Sequence, residues 1–474
     1  MALPSKICLF VLIAGASLGC QDSRRIRDPE YGALVYQMQE PHLGFDAATA
    51  TPVVSPEIQG PHSVEEYIQI ALGQNPKVHA IRKKMEALAY RVPVESSLQD
   101  PSLTVTLQPE PVQTAAGQQE AIVAVSQRFP WFGKLAAKAG VAEAKTNVVR
   151  AELAAIELDT VARVKKAYFE LYFVQQAIRV TEADQQLLLE IRAVADTRYQ
   201  AGDTSQQDVL RANLEVSDTE NRLIQLRQQL DSGQARMAKL LHLAPDTELL
   251  AKDELPPLPT LQELDTIQQT AVAASPELHA KLAELSVSRR GAQLARLDYK
   301  PDMTLGMSWI DVSSSGISPV SDGSDALLLS AGVNLPIYRK RLDSAVRSAE
   351  ASAVAAALEY DSLRDETLEQ VTDLFFKTKS HLQLLELFRE DILPNSKQTL
   401  AVSSQAYNVG EVDFLQLLDN WRQLLRYEIS NLRLKATLYQ TLSELEQVMG
   451  GRNVDGAEES IVPIELQTEE SSRR

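Results

Sequence analysis

"RFPWFGK", residues 128–134, divides two unlike stretches of chain. Before it, "AIVAVSQ" (121–127) is short and rich in β-branched residues, a composition that suits a strand. After it, from Leu135 to Gln200, there is no proline and only one glycine. "VNLPIYRKR", residues 333–341, marks a second change of the same kind. Proline ends ladder pairing and presets a turn, while glycine relaxes the backbone for a change of direction. Pro130 with Gly133, and Pro336 without a glycine, therefore read as two strand-to-helix joints.

The two joints belong to a larger repetition. "NPKVHA" (75–80) returns as "SPELHA" (275–280), and Pro101 returns as Pro301, each at an offset of 200. Pro130 matches Pro336 at 206, and "YQAG" (199–202) matches "YNVG" (407–410) at 208. Most of that drift falls between Pro101 and Pro130, where a loop absorbs extra residues cheaply. The chain is a tandem duplication. Repeat one spans 61–242, an inter-repeat linker 243–260, and repeat two 261–450.

Each repeat opens with a helix, expected over about 63–95 and 261–296, and Ser63 with Glu66 gives the first a capping box. "DPSLTVTLQ" (100–108) and "PDMTLGMSWI" (301–310) then alternate apolar and polar residues with period two, as half-buried strands do. A polar loop and a second strand complete each hairpin. The long segment after each joint carries a 3.5-residue seam: Val141, Ala144, Val148, Ala151, Ala155, Leu158, Ala162, Lys165, Phe169 and Tyr172, broken only by Lys165. Val346, Ala349, Ala353, Ala356, Tyr360 and Leu363 repeat it. Such a seam marks a helix that packs along a partner. At about 1.5 Å per residue the first of these helices is on the order of 100 Å long. "AGDTSQQD" (201–208) then turns the chain into a returning helix.

Four strands cannot close into a barrel with room inside, and an open edge invites aggregation. If the apolar faces meet lipid instead, several chains can pool their strands, since membrane barrels alternate apolar-out and polar-in. Trp131, Phe132 and Tyr338 then suit an interfacial belt, and Lys134 could reach headgroups.

The ends of the chain agree with export. Lys6, an apolar run of thirteen residues from Ile7 to Gly19, and "SLGC" form a signal peptide over 1–19. Gly19–Cys20 resembles a bacterial lipoprotein signal, which would make Cys20 the lipidated N-terminus; an ordinary signal with an incidental cysteine is the alternative. Residues 20–60 read as an extended tether and 451–474 as a disordered acidic tail. The mature chain keeps one cysteine, so no internal disulfide is expected. A net charge of −17 argues against a nucleic-acid backbone as partner.

The signal peptide, the duplicated helix–hairpin–long helix–helix unit and Tyr-x-x-Gly between long helices together resemble the TolC family of outer-membrane efflux proteins, over about 61–450. That resemblance implies a mainly α protein with a transmembrane β part. A homotrimer would form a 12-stranded β-barrel in the outer membrane of a Gram-negative-type bacterium, continued by a long α-helical barrel through the periplasm. It implies an inner-membrane pump and a periplasmic adaptor as partners, and no chemistry on the cargo, which in this family is a drug, a protein or a metal ion. It also places a periplasmic gate at the turns. Tyr407 falls on the gate tyrosine, Asp208 on its acidic partner, and Gln416 and Asp419 where two acidic rings usually stand. Val412 replaces an arginine used by some members as a latch, leaving Asp203, Glu411 or Asp413 to serve. Asp208 and Asp419 read equally as capping or solvated residues near helix starts.

Other signals are weak. His79 and His279 recur through duplication and read as packed helix residues rather than ligands, so no metal site and no cofactor is expected. No HExxH, Walker loop or GxSxG elbow appears, which argues against an enzyme. A periplasmic adaptor carries one helical hairpin rather than two in series, and a coiled-coil scaffold leaves the strand faces unexplained.

Overall fold

The computed structural model describes residues 60–454 apart from 315, together with 28, 30 and 31. The signal peptide, Cys20, most of the tether and most of the acidic tail lie outside the described residues.

Repeat one runs β1 (Pro61–His62), α1 (Val64–Gln74), α2 (Pro76–Ala89), α3 (Arg91–Ser96), β2 (Ser102–Thr114), β3 (Gly117–Phe129), α4 (Lys134–Ala201) and α5 (Gln206–Leu241). After β4 (Leu250–Ala251), repeat two runs α6 (Leu264–Ala274), α7 (Pro276–Leu297), β5 (Met303–Val312), β6 (Ala326–Val333) and α8 (Arg339–Leu387). It ends with a π-helical turn (Phe388–Ile392), α9 (Leu393–Val409) and α10 (Phe414–Val448). The duplication is thus visible in the order of elements, except that α3 has no separate counterpart and the second long helix is split.

The first helix of each repeat is not continuous. Asn75 and Ser275 each end one helix and cap the next, with Pro76 and Pro276 as the first residue of the new one. Proline lacks the N–H a helix interior needs, but suits a first turn, so the expected helices break there. The capping box does form: Glu66 Oε2 accepts from the Ser63 N–H at 2.7 Å. Val78 and Leu278 are the packed residues near each proline. His79 is exposed and bonds the Gly73 carbonyl oxygen at 2.9 Å, which corrects the reading of it as a packed residue.

The four long strands form one antiparallel sheet in the order β2-β3-β5-β6, so β3 and β5 join the hairpins of the two repeats. β2 continues past the expected end at 108, through Pro109 and Pro111, with a register shift between Leu107 and Val112. As an edge strand it tolerates residues that cannot donate to a ladder. Across one face, Leu103 pairs with Val125, Val125 with Met307, and Met307 with Leu329. All four side chains are exposed, as are Val105, Leu305 and Leu327. The opposite face carries Thr104, Ser126, Thr304, Gly306 and Ser330.

α4, 68 residues and about 100 Å long, is the spine. Every residue of its seam from Val141 to Tyr172 is buried or half-buried. The exception to apolarity is explained: Lys165 Nζ bonds Glu446 on α10 at 2.6 Å. Towards the sheet, α4 packs on α2, α3 and α7; further along, on α5 and α10. Ion pairs stitch these seams, among them Arg82–Glu157 at 2.7 Å, Arg227–Glu182 at 3.0 Å and Arg433–Glu170 at 2.6 Å.

The linker 243–260 is part of a folded girdle around the middle of α4. β4 pairs in parallel with β1, and Leu243, Leu249 and Ala251 are buried in the main core. Tyr67 donates to the Leu250 carbonyl at 3.0 Å, Tyr168 accepts from the Lys252 N–H at 3.1 Å, and Phe169 stacks on Tyr439 at 4.9 Å. The second long helix differs from the first: Pro394 stands at its level, and the π turn at 388–392 absorbs the break between α8 and α9.

Candidate functional site

Two places combine sequence signals with unusual geometry: the tips of the helical hairpins and the joints between sheet and helix.

At the tips, Tyr-x-x-Gly is a helix terminator. Gly202 (φ 83°) and Gly410 (φ 83°) take the left-handed conformation that closes a helix. The N–H groups of Gly202 and Asp203 donate to the carbonyls of Tyr199 and Arg198 at 3.0 and 2.9 Å. Gly410 and Glu411 repeat this on Tyr407 and Ala406 at 3.1 and 2.9 Å. The two tyrosines then part company: Tyr199 is 42% exposed and Tyr407 only 3%.

Tyr407 packs against Phe414 at 5.5 Å and belongs to a cluster with Leu188, Ile191, Leu400 and Trp421 that joins the two hairpins. Arg198, from the other repeat, lies over its ring at 4.8 Å and donates to its backbone carbonyl. The Tyr407 hydroxyl is buried beside the Thr204 side chain. Burial pushes its phenol up, the Asp208 carboxylate adds to that, and Arg198 opposes it. Asp208 sits in the first turn of α5, where Thr204 donates to its carboxylate.

The remaining tip residues have local duties. Asp413 caps α10 by accepting from the Gln416 N–H at 2.8 Å. Gln416 and Asp419 share the exposed face of α10, one helical turn apart. Arg422 Nη1 lies 3.3 Å from Asp419, while its Nη2 donates to Glu215 of α5, a buried carboxylate. Arg198, Arg422 and Glu215 carried no sequence motif. Arg198 stands beside "YQAG", but its partner is 209 residues away.

At the first joint, Gly133 (φ 85°) precedes α4 and Pro130 ends the ladder. Phe132 is almost fully exposed, with Trp131 packed edge-on at 5.9 Å. Lys134 is corrected: it is 6% exposed and points inward, not toward headgroups. Its Nζ donates to Asp302 Oδ1 at 2.8 Å and to the Lys300 carbonyl at 3.0 Å. Asp302 also accepts from Arg128 at 2.7 Å and from the Trp131 N–H at 3.0 Å. The second joint manages without glycine because Asn334 bonds the backbone of Asp302 from both its side chain and its N–H. Leu335, Ile337 and Tyr338 stay exposed there, and Pro336 is half-buried. Both joints thus converge on Asp302.

A sheet with one open apolar face, continued by helices of about 100 Å, defines a membrane duct component. Among the described residues no helix is long and apolar enough to cross a membrane, and none of their His, Cys, Asp and Glu side chains gather into a metal-holding group of three. The family model for the outer membrane efflux protein matches residues 67–241 and 267–451, and the chain belongs to that family. It is an outer-membrane exit duct for efflux.

The chain is similar to the cobalt-zinc-cadmium resistance protein CzcC of Cupriavidus metallidurans, 21% identical over 84% of this chain and 92% of that protein. It is also similar to the pyoverdine export outer membrane protein OpmQ of Pseudomonas putida, 20% identical over 70% of each. The crystal structure of the outer membrane protein VceC from Vibrio cholerae superposes with a TM-score of 0.68 at 18% identity, covering 82% of this chain and 96% of that one.

Proposed function

We propose that three copies of the chain assemble into the duct, pooling four strands each into a 12-stranded barrel and their long helices into a periplasmic tunnel. One observation carries this: among the described residues the sheet has an exposed apolar face and two free edges, β2 and β6, that neighbouring copies can pair. A periplasmic adaptor and an inner-membrane pump deliver the cargo, and Cys20 carries the lipid anchor. Trp131, Phe132 and Tyr338 sit at the headgroup level, with Pro130, Gly133 and Pro336 shaping the turns out of the barrel.

The tips form the closed gate. Arg198 on Tyr407 supplies the latch, Asp208 orders the first tip through Thr204, and Gln416 and Asp419 line the mouth, where three aspartates make a cation-selecting ring. The cargo is a divalent transition-metal cation; the extent of the likeness to CzcC supports this reading over a siderophore route.

The test is the detergent-solubilised mass of the purified protein together with its conductance in a planar bilayer. A trimer with cation-selective channels is expected, and a monomer without conductance would overturn the duct. For cargo, expression with a cognate pump should restore zinc, cobalt or cadmium resistance; restored resistance to dyes alone would overturn the metal reading.

A further inference from the structure

Asp184 is a carboxylic acid in a place that asks for an apolar residue. It lies three-quarters of the way along α4, is 7% exposed, and its Oδ2 has no hydrogen-bond partner. One turn further on the same face is Leu188, fully buried in the cluster that joins the hairpin α4–α5 to the hairpin α9–α10 and reaches Tyr407. By the 208-residue offset of the tips, Asp184 corresponds in the duplication to Ile392, the last residue of the π turn in the other repeat. The acid therefore occupies the position equivalent to the one at which the second long helix is interrupted.

The charged groups facing it come from each surrounding helix: Arg222 from α5, Lys397 from α9 and Glu428 from α10. Lys397 is committed to Glu428 at 3.1 Å. Lys397 is thus shared with a second carboxylate, and a buried unpaired charge costs several kcal/mol.

We propose that Asp184 is a proton-operated wedge at the root of the two hairpins: neutral, it packs above the apolar cluster and the tips stay closed; ionised, it draws water between the hairpins and frees the tips to part. The inference rests on the gate reading above and adds its regulation. Burial chiefly, with Glu428 in support, raises the acid to about 7, against the pull of Lys397 and Arg222. A hydrated Asp184 in the parted state would titrate near an ordinary carboxylate, about 4. The closed state therefore holds the proton more tightly. Opening releases it, and the open population rises with pH up to about 7 and levels off above, by as much as tenfold per pH unit.

The test is single-channel recording of the full-length protein in planar bilayers at about pH 5 and about pH 8, beside hydrogen exchange at residues 196–206 and 400–410. The wild type should open at least about tenfold more often at the higher pH, with faster exchange at both tips. Asp184→Asn, which keeps the shape of the neutral acid, should stay at the low-pH level throughout, with a thermal midpoint at about pH 8 no lower than the wild type's. Asp184→Leu should behave like Asp184→Asn. Equal opening of the wild type at both values, or unchanged pH dependence in either variant, would overturn the wedge. Absence of conductance at every pH, with tip exchange still pH-dependent in the wild type alone, would overturn the duct and leave the wedge standing.

Discussion

Arg198 closes the last turn of the first long helix and at the same time covers Tyr407, which closes the last turn of α9, the end of the second. Its guanidinium stands 4.8 Å from the ring centroid and donates to the Tyr407 carbonyl. A single side chain thus ties one hairpin tip to the other, at the position where the two sequence repeats have diverged from exposed Tyr199 to buried Tyr407.

Removing that tie should loosen the gate. Arg198→Ala loses a cation–π contact and a charged hydrogen bond, together about 2–3 kcal/mol. Channel openings in a bilayer should become at least about tenfold more frequent. Arg198→Lys, which keeps the charge without the planar fork, should recover only part of the closure. Wild-type opening frequencies in Arg198→Ala would refute the latch.

Asp419 should set cation preference, tempered by its neighbour. Asp419→Asn is expected to move the reversal potential in a salt gradient toward zero. Arg422→Ala exposes the same acid without its 3.3 Å partner and should move it the other way. Arg422→Ala also strands the buried Glu215, so its thermal midpoint should fall as well. Unchanged reversal potentials in both variants would remove the ring from the account.

The joint at Asp302 should govern stability rather than conduction. Asp302→Ala leaves the buried Lys134 with only the Lys300 carbonyl at 3.0 Å and Asp298 at 3.7 Å, a loss of about 2–3 kcal/mol measured as assembly and thermal stability. Burial alone would raise this acid, but Lys134, the Trp131 N–H and Arg128 outweigh it and hold it at about 2. A depressed carboxylate contributes stability that is present above its unfolded pKa and lost as pH falls through the folded one. The joint should therefore weaken between about pH 4 and pH 2 and not above, as read by limited proteolysis near residue 131. Loosening at neutral pH would contradict this.

Alanine at the two terminating glycines should separate backbone strain from gating. A Cβ at Gly202 meets open space, so Gly202→Ala carries only the left-handed penalty of about 1–2 kcal/mol. A Cβ at Gly410 comes within 3.2 Å of Arg198 Nη2. Gly410→Ala should therefore raise channel opening as well as lower stability, whereas Gly202→Ala should lower stability alone.

Periodicity and punctuation determined much of this protein by themselves. The 3.5-residue seam, the period-two strands and the offsets of the prolines and glycines are local regularities, and local regularities survive in a linear reading. They placed α4, the four strands, both joints and the tips within a few residues. They do not show the break in the first helix of each repeat, where Pro76 and Pro276 are the first residues of new helices. They sent Lys134 outward because nothing in "FGK" announces Asp302, 168 residues away.

What only the tertiary structure decided are the contacts between the repeats. Arg198 on Tyr407, Arg422 on Glu215, Lys134 on Asp302 and the unpaired Asp184 each depend on helices brought side by side from distant parts of the chain. A charge in sequence is the same whether it is solvated or buried; its energy is set by what the fold places around it.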